Sequence, residues 1–165
     1  MSHPVPDQPL PHQESVWDYP RPAIAERSAA HIRIVHHGIV VADTRRAVRT
    51  LETSHPPSWY IPPDDIAADA LRPSPGASFC EWKGHARYHD IVVGDERLVG
   101  VGWSYPAPTP PFALLRDHVA FYAAPFDACY VDGERVVPQP GGFYGGWITS
   151  AVAGPFKGIP RSRFW

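Results

Sequence analysis

The chain has 165 residues, 44% of them hydrophobic, with 15 basic against 17 acidic side chains and a formal net charge of −2. That length fits one domain whose core needs no disulfides, and the near-balanced charge excludes the clustered Lys and Arg of a nucleic-acid binder. No apolar run is long enough to span a bilayer, so no membrane partner is expected.

Proline is the unusual count, at 21 residues. It removes a backbone donor and is shut out of helix interiors and central strands, so the fold expected is short strands joined by fixed loops. The start, Met1-Ser2-His3-Pro4, has no basic segment followed by an apolar one, and no signal peptide is read there. Two cysteines, Cys80 and Cys129, are too few for a disulfide framework, and the expectation is a cytoplasmic protein with reduced thiols.

Residues 1–30 read as an extended Pro-rich arm, and residues 31–165 as a β domain. Val16, Trp17 and Tyr19 make an apolar cluster within the arm. Such clusters are normally buried, so this one should seal an edge of the core. The alternatives are a lid over a pocket and a homodimer formed through the arm.

Three hairpin signals follow. Ile32-Arg33-Ile34-Val35 and Ile39-Val40-Val41 flank His37-Gly38; Ile91-Val92-Val93 and Leu98-Val99 flank Gly94-Asp95; Ala128-Cys129-Tyr130-Val131 and Arg135-Val136-Val137 flank Asp132-Gly133. Gly and Asp tolerate the positive φ of tight turns, and β-branched residues suit the strands on either side. The segment Thr44–Glu52 fits either a helical turn or a strand. One short helix is expected from Pro63, with Asp64 and Asp65 in its first turn, Ile66, Ala70 and Leu71 facing inward, and Pro73 just beyond its end. Tyr105–Phe112, with Pro106, Pro108, Pro110 and Pro111, reads as a rigid loop.

The nine histidines raise the question of metal. His85 and His89 have helical zinc spacing but sit in a strand pattern, where four residues span about 13 Å. His36 and His37 are adjacent beside a turn, and adjacent strand residues face opposite ways. With no Cys-x-x-Cys pair, no metal site and no cofactor are assigned, and only a site assembled from distant histidines stays open. Gly141-Gly142-Phe143-Tyr144-Gly145-Gly146 lacks the Lys-Ser/Thr ending of a phosphate loop, and no Gly-x-Ser-x-Gly elbow occurs.

The segment Phe79-Cys80-Glu81-Trp82-Lys83-Gly84 carries the most chemistry. Cys80 is a candidate nucleophile, because the nearby Lys83 would lower its pKa; the alternative is a buried thiol. If the segment is a strand, Glu81 and Lys83 share a face, either as a surface ion pair or as an acid–base pair in a cleft. The aromatic set Trp59, Tyr60, Trp82, Trp103, Tyr105, Tyr122, Phe143, Tyr144 and Trp147 exceeds what a small core needs and suits walls around a planar ligand.

Several segments in combination resemble a known family. They are Ser15–Pro22, Leu51–Pro57, Tyr60–Ile66, Cys80–Gly84, Trp103–Pro106 and Val119–Tyr122, and the family is domain-of-unknown-function 427. The resemblance implies a mainly β fold of the β-tent or Mss4-like kind, in which two antiparallel sheets lean together with a pocket between them. Many members of that wider group hold zinc through two Cys-x-x-Cys pairs, which this chain lacks. A nucleotidyltransferase-like label attached to the family finds no metal-binding carboxylate pair or phosphate loop here. The family motif is closer to Cys-Pro-aromatic-Lys-Gly, so Glu81 stands where proline is common and Lys83 is the stronger candidate.

The expectation that follows is a small-molecule site for a planar or cyclic metabolite. Lys83 would bind an anionic group or donate a proton, Glu52, His55 and Glu81 would be candidate bases, and Tyr60, Trp82, Trp103, Tyr105 and Tyr122 would line the ligand. A non-catalytic interaction module is the alternative.

Overall fold

The structure, a computed structural model, describes residues 4–165; the first three residues of the expected arm lie outside the described residues. In chain order the strands begin with β1 (Glu14–Ser15), β2 (Ile24–Arg27), β3 (Ile32–His36), β4 (Ile39–Thr44), β5 (Val48–Leu51) and β6 (Ser58–Ile61). Next come β7 (Leu71–Cys80), β8 (Gly84–Val93), β9 (Glu96–Ser104), β10 (Val119–Phe121) and β11 (Ala128–Val131). The last are β12 (Glu134–Arg135), β13 (Val137–Pro138), β14 (Trp147–Ile148) and β15 (Val152–Ala153). Seven form one sheet in the order β2-β5-β6-β10-β9-β8-β7, and four form a second in the order β12-β11-β3-β4. Every pairing within both sheets is antiparallel. Among the described residues no helix is long and apolar enough to cross a membrane.

All three expected hairpins form, and the ambiguous segment around Val48 is a strand. His37 and Gly38 turn the first at φ 51° and 73°, and Asp132 and Gly133 turn the third at 49° and 80°, the left-handed pair that matches strand twist. The turn also changes the histidine geometry. Because His37 leaves the strand conformation, its ring stacks on that of His36 at 4.2 Å and 18°, where a continued strand would have sent the two apart.

The expected helix is a single 3-10 turn, Pro63–Asp65. Its acidic side chain is drawn elsewhere: Asp65 accepts from the Thr44 hydroxyl at 2.6 Å and from Arg46 at 3.0 Å. Ile66 bridges Ala42, Ala67 N–H donates to Val41 O, and Asp69 takes φ 62°. Backbone groups that a helix would have paired internally are committed to β4, so tertiary pairing overrides local propensity. Leu71 then opens β7, an edge strand that tolerates Pro73 and Pro75 beside a register shift.

The period-two alternation of strands sorts the core. Trp59 and Ile61 of β6, with Ile91, Val101, Val119 and Phe121, face Ile32, Ile34, Val41 and Cys129 of the smaller sheet. Trp147 inserts into this layer at 1% exposure and donates its indole N–H to Phe121 O at 2.9 Å. The residues in between point the other way: Val48, Tyr60, Ala86 and Ala120 cluster with Tyr105, Phe112 and Leu115, the last two from the 3-10 segment Pro110–Leu115.

The N-terminal segment packs on its own chain. Val16 and Tyr19 join Leu51 and Val152, β1 pairs in parallel with β15, and the Trp17 indole donates to Pro155 O at 2.9 Å. Ile24–Arg27, within the span read as an arm, forms the edge strand of the larger sheet beside β5.

Asp90 is a polar device within this frame. It lies at the register shift of β8, is 2% exposed, accepts from Gly100 N–H at 2.7 Å and pairs with Arg97 at 2.8 Å. Hydrogen bonds from Ser74 and Gly100 N–H, with Arg97 beside it, pull its pKa from the ordinary 3.8 to about 2. A depressed carboxyl adds stability above its unfolded pKa that is lost as pH falls toward the folded value. Asp90→Ala should therefore cost about 1–3 kcal/mol at neutral pH by orphaning a buried donor. In urea titrations the gap to wild type should narrow between pH 4 and pH 2; an unchanged midpoint at pH 7 would contradict this role.

Candidate functional site

A cavity of about 310 Å³ opens on the larger sheet, and the smaller sheet contributes nothing to its lining. It lies on the face turned away from the inter-sheet core, which corrects the expectation of a pocket between the sheets. Its floor carries Tyr60 and Ser58 of β6, Thr50 of β5, Trp103 of β9, and Ser78 and Cys80 of β7. β5 and β7 are five strand spacings apart in the sheet, which in a flat sheet is about 24 Å. One small cavity touching both requires the sheet to roll around it, as twisted antiparallel sheets do.

Packing at the floor is fixed by one small residue. Ala120 of β10 pairs with Tyr60 on one side and Trp103 on the other. Its methyl leaves room for the two rings to meet across it, edge on at 6.3 Å and 86°, with the Trp103 indole N–H donating to Tyr60 Oη at 3.1 Å. Tyr105 stands 6.3 Å from Tyr60, and Tyr122 tilts on Trp103 at 4.8 Å. Burial pushes the Tyr60, Tyr105 and Tyr122 hydroxyls above the ordinary phenol value, so they stay protonated donors at neutral pH. The rim is closed by the loop carrying Phe143, Tyr144 and Gly145, where a Cβ on Gly145 would collide with the Trp103 ring.

Polar chemistry enters from two sides. Lys83 reaches the cavity from the turn between β7 and β8, its ammonium 5.7 Å from the centre of the Phe112 ring. Among the described residues no carboxylate pairs with it. Across from it, the connection between β5 and β6 supplies Glu52 and His55, with His55 Nε2 3.4 Å from Glu52 Oε2. Gln139 fixes the proton on this ring. Its Oε1 accepts from Gly146 N–H at 3.0 Å, so its amide nitrogen donates, to Lys157 O at 2.9 Å and to His55 Nδ1 at 3.0 Å. His55 Nδ1 is then the acceptor, and the ring proton sits on Nε2, facing Glu52. Tyr144 packs edge on against the same ring at 5.0 Å.

Of the residues singled out by sequence, Glu52, His55, Tyr60, Cys80, Lys83, Trp103, Tyr105 and Tyr122 all line this cavity. Glu81 and Trp82 do not. Residues 81–83 form a turn rather than a strand, so Glu81 projects into solvent without an ion pair to Lys83. Trp82 packs against the cluster around Phe112, and its carbonyl accepts from Thr109 Oγ1. Gln139 was missed by sequence reasoning; it carries no motif, and its role exists only because a loop returns 84 residues after His55.

Burial lowers the His55 pKa from its ordinary value, Glu52 opposes that shift, and Lys157 and Lys83 add to it. The neutral ring therefore stabilises the fold above the ordinary imidazole range, and that stability falls as pH drops through it toward the folded value. Glu52→Gln should lower the His55 pKa further, read from its ring carbon shifts in an NMR pH titration. A rise would show that the two groups are not coupled.

No curated protein matches the chain. A family model described as a domain of unknown function (DUF427) matches residues 24–132, a span that holds every lining residue named above except Gln139 and the Phe143–Gly145 loop. The matched span covers the larger sheet from its edge strand β2 through β10, and the chain belongs to the DUF427 family.

Proposed function

We propose that this cavity binds a small planar or cyclic metabolite bearing an anionic group, and that Glu52 and His55 exchange a proton with it. The observation that carries this reading is Lys83, an ammonium without a carboxylate partner among the described residues, entering a cavity walled by Tyr60, Trp103, Tyr105 and Tyr122. Aromatic faces hold a flat or cyclic ligand, and a few convergent polar groups orient it. Phenol hydroxyls and the hydroxyls of Thr50, Ser58 and Ser78 supply donors for ring substituents. Among the described residues that line the cavity, Lys83 is the one basic side chain with a full positive charge.

Glu52 and neutral His55 form the acid–base pair of this reading. A carboxylate that accepts from an Nε2–H can take a proton from a bound ligand while the imidazole disperses the charge. Cys80 lines the same cavity, half-buried against the cluster that holds Tyr60 and Tyr105, and is read here as part of the wall. A homodimer formed through the arm is the weaker reading, because Val16, Trp17 and Tyr19 are spent on contacts within the chain.

The test is a thermal-shift panel of ring carboxylates and ring phosphates, followed by calorimetry on the best binder. Lys83→Ala should weaken that binder by about 10–150-fold, the loss of a charge-assisted hydrogen bond, with the melting temperature of the free protein unchanged. Equal affinity in wild type and Lys83→Ala would overturn the assignment.

A further inference from the structure

Outside the cavity lining, three turns meet at a second cluster of titratable side chains. The hairpin between β3 and β4 supplies His36 and His37, the hairpin between β8 and β9 leads into Glu96, and the approach to β11 supplies Asp127. His36 is 4% exposed and held edge on by Phe126 at 5.9 Å. Asp127 N–H donates to His36 Nδ1 at 3.1 Å, which puts the ring proton on Nε2, where Glu96 Oε2 accepts it at 3.2 Å. The same carboxylate oxygen lies 2.9 Å from His37 Nε2. Both Nε2 atoms thus lie beside Glu96, and the His36 Nδ1 lone pair accepts the Asp127 N–H.

A second carboxylate stands beside His36 Nδ1. Asp127 Oδ1 is 3.5 Å from His36 Nδ1, its Oδ2 is tied to His37 N–H at 2.8 Å, and one ligating atom from each of His36, His37 and Asp127 lies within 4.8 Å of the others. Among the described residues no Lys or Arg pairs with the side chain of Glu96 or Asp127. The cluster carries two carboxylates around nitrogen and oxygen donors, with the Arg135 guanidinium held on the Asp127 backbone carbonyl at 2.8 Å.

We propose that His36, His37 and Asp127 form a three-ligand site for an imidazole-preferring divalent ion of the zinc class, with Glu96 as the outer carboxylate and water completing the coordination. Two nitrogens and one carboxylate favour Zn2+, Co2+, Ni2+ or Cu2+ over Mg2+ and Ca2+, which prefer all-oxygen sets. Glu96 stands as outer partners of ligating histidines do, on the ring nitrogen that does not bind, fixing tautomer and orientation. Bonds of about 2.0–2.2 Å need donor atoms roughly 3.4 Å apart in a tetrahedral site, so the cluster must close. The side chains of His37 and Asp127 are 53% and 57% exposed, and buried His36 serves as the template. Closing on an ion requires Asp127 to give up its N–H bond to His36 Nδ1 and its Oδ2 bond from His37 N–H.

The experiment uses tag-free, chelator-stripped protein titrated with Zn2+ by calorimetry and with Co2+ by visible absorption. One equivalent should bind, with a d–d spectrum for Co2+. His37→Ala and Asp127→Asn, both at exposed positions, should each weaken binding at least tenfold, and Glu96→Gln by about 10–100-fold. His31→Ala, which removes an unrelated imidazole–carboxylate pair with Asp43, should leave the affinity unchanged. Absence of binding to wild type, or equal affinity in wild type and folded His37→Ala, would overturn the proposal.

Discussion

The hydrogen bond from Trp103 to Tyr60 is the constraint around which the larger sheet is organised. Tyr60 is 2% exposed, and a phenol buried that deeply is costly unless its oxygen finds a partner. The partner comes from β9, two strands away, and can reach only because Ala120 between them is small. The same bond aims the far edge of the indole at the loop, where Gly145 lies against it without room for a side chain. One buried hydroxyl thereby sets the floor of the cavity, the pose of its largest wall and the path of the C-terminal loop.

What the sequence revealed and what it concealed divide by the range of the interactions. The three hairpins were legible because a turn such as Asp132-Gly133 and its flanking β-branched residues carry their own instructions. The helix from Pro63 was misread for the opposite reason. Its proline, its two aspartates and Pro73 are real helix-boundary signals, but Thr44 and Arg46 capture Asp65 and Val41 captures Ala67 N–H. The site followed the same rule. Tyr60, Trp103, Tyr105 and Tyr122 could be named from an excess of aromatics, Lys83 from Cys80 and Glu81 beside it, and His55 only with the family-like segment Leu51–Pro57. The error at Glu81 was one of period: the same-face argument holds for a strand, and residues 81–83 are a turn. Gln139 had no local signal at all.

The two imidazole–carboxylate clusters of this protein set similar groups in different surroundings. In the cavity, Gln139 occupies His55 Nδ1 and the remaining ring proton faces Glu52. Both nitrogens are committed, and burial keeps the ring neutral, a state suited to moving a proton within an enclosed volume rather than to holding an ion. At the β3–β4 turn the partners differ. One carboxylate, Glu96, takes the Nε2 side of both rings, and a second, Asp127, stands beside His36 Nδ1, which accepts the Asp127 N–H. There the His37 and Asp127 side chains are exposed. What distinguishes the two clusters is less their histidines than what occupies the second nitrogen, the Gln139 amide at His55 and the Asp127 backbone N–H at His36.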